Sequence, residues 1–275
     1  MLPHASSPII GFLLYFEDGI IRNGMLKISI ITVCFNSEKY ISTALKSVLE
    51  QTYPGIECII IDGNSTDDTL KIIQRHEMLF NGRIKWTSEP DEGLYDAMNK
   101  GILMATGDII GILNSDDLYC DPFSIEKVMS LFNKENSLDA VYANLYYVSQ
   151  KDTSHIVRKW ITGKQKPFKS GWHPGHTALF LKKKVYDDYG LYNLDFTLVA
   201  DFELMLRVFD KYKINAYYLQ EYLVKMRLGG VTNKNMTNIY KQNIECLKAF
   251  QHNKLTVNKF LYPYYRLLPK LSQFK

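Results

Sequence analysis

From residue 25 onward the apolar positions alternate between two spacings. Lys27–Phe35 (KISIITVCF) is a continuous β-branched run, the pattern of a strand buried on both faces. Asn36 and Ser37 break the run and offer an N-cap; Tyr40, Ile41, Ala44, Leu45, Val48 and Leu49 then recur at helical spacing. Pro54-Gly55 punctuates the chain, and Ile56–Ile61 is a second buried strand. Asp67-Asp68 opens a second helix, with Leu70, Ile72 and Ile73 on its apolar face. Ile84–Thr87, Leu94–Ala105, Ile109–Leu113, Ser124–Phe132 and Ala140–Val148 continue as strand, helix, strand, helix, strand. Such alternation predicts an α/β fold with a doubly wound, mostly parallel sheet, helices on both faces and right-handed connections. Past about residue 150 the alternation weakens. Short strands and aromatic residues take over, with helices near Lys182–Tyr189, Asp201–Phe209 and Asn238–Phe250. No internal repeat interrupts the pattern, which reads as one continuous domain.

Composition narrows the function. A chain of 275 residues that is 46% hydrophobic can bury a sizeable core, and 33 basic against 29 acidic residues leave a net charge of only +4. That excess does not point to nucleic acid. Cys34, Cys58, Cys120 and Cys246 are far apart and show no C-x-x-C spacing. They read as core or isolated thiols, not as a zinc site or disulfide framework, and suit a reducing cytoplasm. No apolar run reaches the ~18 residues of a membrane span. Residues 1–24 contain the short apolar stretch Ile9–Phe16, closed by Glu17 and Asp18. Without a basic leader or small-residue cleavage site they read as a loosely held extension, not a signal peptide.

Ligands of open parallel sheets bind outside the carboxyl ends of the strands. No G-x-G-x-x-G and no Walker loop follows the first strand, so phosphates are not cradled in either usual way. Instead Asp62-Gly63-Asn64-Ser65-Thr66-Asp67-Asp68 follows the second strand and Asn114-Ser115-Asp116-Asp117 the fourth. Carboxylates repel phosphate unless a hard divalent cation lies between them. Two acidic clusters at neighbouring strand ends therefore suggest Mg²⁺ or Mn²⁺ beside a diphosphate. Asp67 and Asp68 are assigned to capping and turn duty.

At these residues the chain resembles glycosyltransferase family 2, of the GT-A fold. ISIITVCFN, IIIDGNSTDDT, EPDEGLYDAMNKGI, GDIIGILNSDD and ADFELMLR carry the resemblance in order, and Gly229–Thr232 (GGVT) also fits. The match spans roughly Met25 to Asn235 and is most similar to bacterial enzymes of cell-surface polysaccharide biosynthesis. It implies a GT-A domain over residues 25–250, with a nucleotide-sugar half at about 25–120, a smaller acceptor-side sheet region at about 121–250, and a basic-aromatic tail at 251–275. It implies an inverting transfer of sugar from a nucleotide diphosphate-sugar, UDP by default, to a hydroxyl of a glycan or lipid-linked acceptor. Thr32, Val33, Phe35, Asn36, Asp62, Asp91, Asp96, Asn114 and Asp116 would line the nucleotide. Asp116 and Asp117 would serve the metal, and Asp201 would be the catalytic base. Two departures stand out: Asn114 where many relatives carry Asp, and Ala200 where many carry Glu.

A carboxylate in reach of the acceptor hydroxyl can take its proton as the new bond forms, which is the role expected of Asp201. His176 matches a histidine often found at this point in similar enzymes. With His173, Trp172 and Arg227 it is a candidate for diphosphate or acceptor contacts, a guanidinium fork suiting phosphate oxygens. The tail Asn253–Lys275 mixes Lys and Arg with Phe, Leu and Tyr. It is expected either to lie peripherally on the inner face of the cytoplasmic membrane or to fold back on the domain; Pro263 and Pro269 argue against one continuous helix. Two competing readings remain: a sugar nucleotidyltransferase, which usually shows a glycine-rich basic loop after its first strand, and an inactive nucleotide-sugar-binding protein, suggested by Asn114 and Ala200.

Overall fold

The computed structural model describes residues 25–229 and 236–271. The 1–24 extension, the last three positions of the Gly229–Thr232 motif and the end of the tail lie outside them. Ile28–Cys34 (β1) and Ile56–Asp62 (β2) are buried along their whole lengths. They run parallel, in register from Ile28 opposite Ile56 to Cys34 opposite Asp62. Ile84–Ser88 (β3) adds parallel to β2, and Ile109–Ile112 (β4) parallel to the other side of β1. Alternate residues of these strands enter different cores, as the two-residue period requires. Ile31, Val33, Ile59 and Ile61 meet Ala97, Met98 and Ile102 of Leu94–Met104 (α3). Ile30, Cys58 and Ile60 face Ile41, Leu45 and Val48 of Ile41–Leu49 (α1) and Ile73 of Thr69–Glu77 (α2). Helix α3 approaches so closely that a Cβ on Gly101 would lie 2.4 Å from Ile31 Cγ2.

The second half extends the same sheet with mixed pairing. Leu118–Tyr119 (β5), Ala140–Val148 (β6), Ile156–Trp160 (β7), Leu179–Lys182 (β8) and Ala216–Arg227 (β9) complete the order β3-β2-β1-β4-β8-β6-β9-β5, with β7 on β6. β8 is antiparallel to both β4 and β6, whereas β9 is parallel to β6. Ser124–Lys134 (α4), Lys183–Tyr189 (α5) and Ala200–Leu206 (α6) accompany these strands, and a π-helical turn over Arg207–Lys211 prolongs α6. β9 escapes sequence patterning for a physical reason. It is only partly buried, and its pairing with β6 shifts register around Asn144, so its side chains never settle into clean alternation.

The tail takes the second of its two expected courses. Met236–His252 (α7) is followed by Tyr262–Leu271 (α8), a helix despite its two prolines. Pro263 is the second residue of α8, where a backbone N–H would have no helical partner in any case. Tyr262 is fully buried, its ring 5.1 Å from Phe250 and 6.4 Å from Phe202. The next turn crosses Gly171, which has φ +82° and where a Cβ would lie 2.2 Å from the Tyr265 carbonyl oxygen. The tail thus folds back on the domain. Among the described residues no helix is long and apolar enough to cross a membrane.

Candidate active site

Three strand ends are tied into one rim. After β1, Asn36 turns with φ +48°. Its N–H donates to Ser65 Oγ at 2.8 Å, and its Oδ1 accepts from Thr66 N–H at 2.9 Å. Ser37 Oγ lies 2.9 Å from Ser115 Oγ, joining the β1 and β4 loops. Asp67 accepts from the N–H groups of Thr69 and Glu38, an Asx turn that leads into α2, and Asp68, at the N-cap without a side-chain capping bond, pairs with Lys71 at 2.6 Å. Phe35 stands exposed on this rim. The side chains of Thr32 and Val33 are buried inside β1, whereas Phe35 and Asn36 stand on the open rim.

Asp62 is also buried. It accepts from Ser65 Oγ at 2.5 Å, Ser65 N–H at 2.9 Å, Ser88 Oγ at 2.7 Å and the Cys34 thiol at 3.4 Å. With its lone pairs so occupied, it shapes the β2 loop from beneath. Asp91 accepts from Gly93 N–H at 2.9 Å, and its Oδ2 would be 2.6 Å from a Cβ on Gly63. Glycine at 63 is what lets the β2 and β3 loops close together. Asp96 accepts from Glu92 N–H and pairs with Lys100 at 3.3 Å, fastening the start of α3.

The acidic pair after β4 is held from two sides. Asp117 is almost fully buried, accepting from Asn114 Nδ2 at 3.0 Å and Arg227 N–H at 3.2 Å. Burial, then the charge of Asp116, holds its carboxyl well above the usual range. Burial also raises Asp116, against the pull of Arg227 and His176. Arg227 is itself buried, its guanidinium donating to the Asp116 carbonyl at 2.5 Å and lying 4.9 Å from the Tyr40 ring. Arg227 therefore clamps the Asn114–Asp117 loop from behind.

Asp201 opens α6 and lies next to this pair through a short chain of contacts. Its Oδ2 is 3.4 Å from His176 Nδ1, and His176 Nε2 is 3.4 Å from Asn114 Nδ2. With Asn114 Nδ2 facing Nε2, the other ring nitrogen, Nδ1, faces Asp201. Asn114 thus links Asp117 to His176, a connection that aspartate at 114 would not make in this way. Tyr95 Oη donates to Asp201 Oδ1 at 3.0 Å. Sequence reasoning missed Tyr95, although it stands inside the donor-side motif beside Asp96. Burial and then the Asp201 charge push its phenol well above the ordinary value.

The remaining candidates stand apart from the carboxylates. Trp172 is buried in an aromatic cluster with Tyr142, Phe168 and Phe209, its indole donating to the Thr162 carbonyl at 2.8 Å. The His173 ring meets Trp160 and Phe202 edge-on.

Among the described residues no three His, Cys, Asp or Glu side chains gather into a metal cage. A hexacoordinate Mg²⁺-type ion does not need one, since it takes one or two carboxylates and completes its shell with water and phosphate. The residues present fit such an ion. Two adjacent carboxylates are short of compensating charge, and the buried Asn114 Oδ1 beside them has no hydrogen-bond partner.

The family model for glycosyl transferase family 2 matches residues 29–190, from β1 past α5. The chain belongs to that family. It is a glycosyltransferase. An uncharacterized glycosyltransferase of Mycobacterium tuberculosis is 33% identical over 187 residues, covering 66% of this chain and 68% of the relative. A PGL/p-HBAD biosynthesis glycosyltransferase of Mycobacterium bovis is 27% identical over 206 residues, covering 74% and 78% of the two chains. Solved structures share the GT-A fold. S. aureus TarS 1–349 in complex with UDP-GlcNAc superposes with TM-score 0.61 at 16% identity, over 90% of this chain and 73% of that 1–349 chain. A longer TarS chain is covered over 43% of its length. The mannosyltransferase PcManGT of Pyrobaculum calidifontis, in complex with GDP-Man and Mn²⁺, superposes with TM-score 0.63 at 16% identity, over 90% of this chain and 70% of that one.

Proposed function

We propose that this family 2 glycosyltransferase moves a sugar from a nucleotide diphosphate-sugar, UDP-linked by resemblance, to an acceptor hydroxyl in cell-surface polysaccharide or glycolipid biosynthesis, inverting the anomeric carbon. The supporting observation is the continuity from Asp117 through Asn114 and His176 to Asp201. One carboxylate is thereby set beside the pair that would bind the leaving group's cation.

Asp201 accepts the proton of the attacking hydroxyl, while Tyr95 and His176 fix both of its oxygens in place. General-base action of this kind contributes about 10²–10⁴-fold. Asp116, with Asp117 and Asn114 Oδ1 behind it, would hold Mn²⁺ or Mg²⁺. Such an ion, when bound, neutralises charge developing on the nucleoside diphosphate. Phe35 and Asn36 border the nucleotide, and Asp62, Asp91 and Asp96 hold the loops that shape its site. A single displacement by the acceptor needs no covalent enzyme intermediate, so the product anomer is opposite to that of the donor. Proton NMR of the product reads this directly, and retention would contradict the mechanism.

Exposed Phe260 and Leu261 just before α8 and Tyr264 in its first turn, together with the basic residues of the tail, form the surface assigned to a peripheral membrane contact. The chain is expected to pellet with anionic vesicles and to lose that on Phe260→Ser with Tyr264→Ser; equal pelleting of both would remove the assignment.

A further inference from the structure

Between α5 and α6 runs a segment, residues 190–199, that is neither helix nor strand. It delivers Asp201 to the site. Without a ladder of its own, its buried backbone groups must find partners on neighbouring elements. Tyr192 lies buried within it, and both of its backbone groups are met by one side chain. Asn99 Nδ2 donates to the Tyr192 carbonyl at 2.9 Å, and Asn99 Oδ1 accepts from the Tyr192 N–H at 2.9 Å. A side-chain amide presents a donor and an acceptor side by side, whereas aspartate or leucine of similar size does not.

Asn99 lies on α3 and is itself buried. One turn earlier on the same face stands Tyr95. Its hydroxyl reaches Asp201 Oδ1 at 3.0 Å, and its ring lies 5.5 Å from the Tyr192 ring. Helix α3 thus grips the segment at Tyr192 and the carboxylate at Asp201. The helix is in turn pinned to the sheet, since its approach at Gly101 leaves no room for a Cβ beside Ile31. Other ties come from later in the chain. Arg207 donates to the Leu191 carbonyl at 2.6 Å, and Glu245 of α7 accepts from the Leu198 N–H at 2.9 Å. Asn99 and Tyr95 are what refer the segment to the helix that follows the Asp91 loop.

We infer that Asn99 is a positioning residue for the transfer step: it locks residues 190–199 onto α3 and so sets the Asp201 carboxylate at the distance from Tyr95 that the reaction uses. This role rests on Asp201 being the base, as proposed above, and deepens that reading. Asn99 stands inside the EPDEGLYDAMNKGI segment and has had no part in the mechanism until now. A misplacement of about 1 Å can cost roughly 10²-fold in rate, so a side chain that never touches substrate can still govern turnover. Released from Asn99, the segment keeps its ties at Leu191 and Leu198 and loses its hold at Tyr192.

Two double-mutant cycles on the full chain test this. The first needs no substrate. In urea unfolding, Tyr95→Phe is expected to lower the midpoint of the wild type by about twice as much as that of Asn99→Ala, or more. The reason is that a freed segment no longer holds Asp201 within reach of the phenol. The second reads release of nucleoside diphosphate from UDP-GlcNAc and GDP-mannose with Mn²⁺, water serving as acceptor. Asn99→Ala is expected to lower kcat about 10–10²-fold while donor KM stays within about twofold. In the Asp201→Asn background the same change is expected to lower kcat no further. Asn99→Asp keeps the volume and the bond from the Tyr192 N–H, losing the donor to the carbonyl. It enters the same cycles with the same expectations should Asn99→Ala fail to fold.

Fully additive midpoint shifts would overturn the inference. So would an Asn99 effect on kcat of equal size with and without Asp201, the mark of a merely structural residue, or a raised donor KM at unchanged kcat. Those results leave the Asp201 mechanism standing. Wild-type turnover in Asp201→Asn itself would bring down mechanism and inference together.

Discussion

Asp201→Asn is expected to lower turnover by roughly 10²–10⁴-fold, about 3–5.5 kcal/mol of barrier, with donor affinity nearly unchanged. The amide keeps the volume and can still meet Tyr95 Oη and His176 Nδ1, the two groups within 3.0 and 3.4 Å of the carboxylate. What it loses is the capacity to accept a proton from the acceptor hydroxyl. A split between lost kcat and retained donor binding distinguishes this role from a capping aspartate at the start of α6, whose loss would lower the melting temperature first. Wild-type turnover in a donor-plus-acceptor assay would remove Asp201 from the mechanism.

Chelation carries the second large effect. Excess EDTA is expected to abolish transfer and Mn²⁺ or Mg²⁺ to restore it. Asp116→Ala is expected to cost roughly 10³-fold in turnover at saturating metal, in keeping with several kcal/mol of charge stabilisation. Asp116 is the better target because Asp117 is committed to Asn114 Nδ2 and the Arg227 N–H, so replacing Asp117 would disturb the loop as well as the ion. Arg227, clamped to the Asp116 carbonyl and stacked on Tyr40, is a positioning residue whose loss would loosen the same loop. Full activity in excess chelator would contradict the metal role.

The parallel half of the sheet was legible because its signals are local. β1 and β2 are uninterrupted apolar runs, and buried strands flanked by turn residues show as such. β6 over Ala140–Val148 matches its expected bounds. The short strands of the mixed half and their pairing were not legible. β8 is four residues long and half-exposed β9 depends on tertiary pairing to β6, which no short window contains. Site residues divide the same way. Asp116, Asp117, His176 and Asp201 are close together because strand ends and the α6 terminus converge, an outcome that topology makes expected. Whether a carboxylate at a strand end faces ligand or backbone is not written in its spacing. Asp62 turned inward because Ser65 and Ser88 supply donors beneath it. Tyr95 was hidden by the opposite difficulty: an apolar-looking residue on a helix whose hydroxyl finds Asp201 only in three dimensions.

In the proposed mechanism Asp116 and Asp117 form the cation-dependent end of one nucleotide-sugar site that also contains Asp201. Thermal melting with UDP-GlcNAc and GDP-mannose, each with Mn²⁺ or with EDTA, on the wild-type chain and Asp116→Ala tests it most directly. A donor at about a hundred times its Kd should stabilise the wild type by about 2.7 kcal/mol, only with Mn²⁺, and should leave the variant nearly unmoved. Equal stabilisation in EDTA, or in Asp116→Ala, would contradict it.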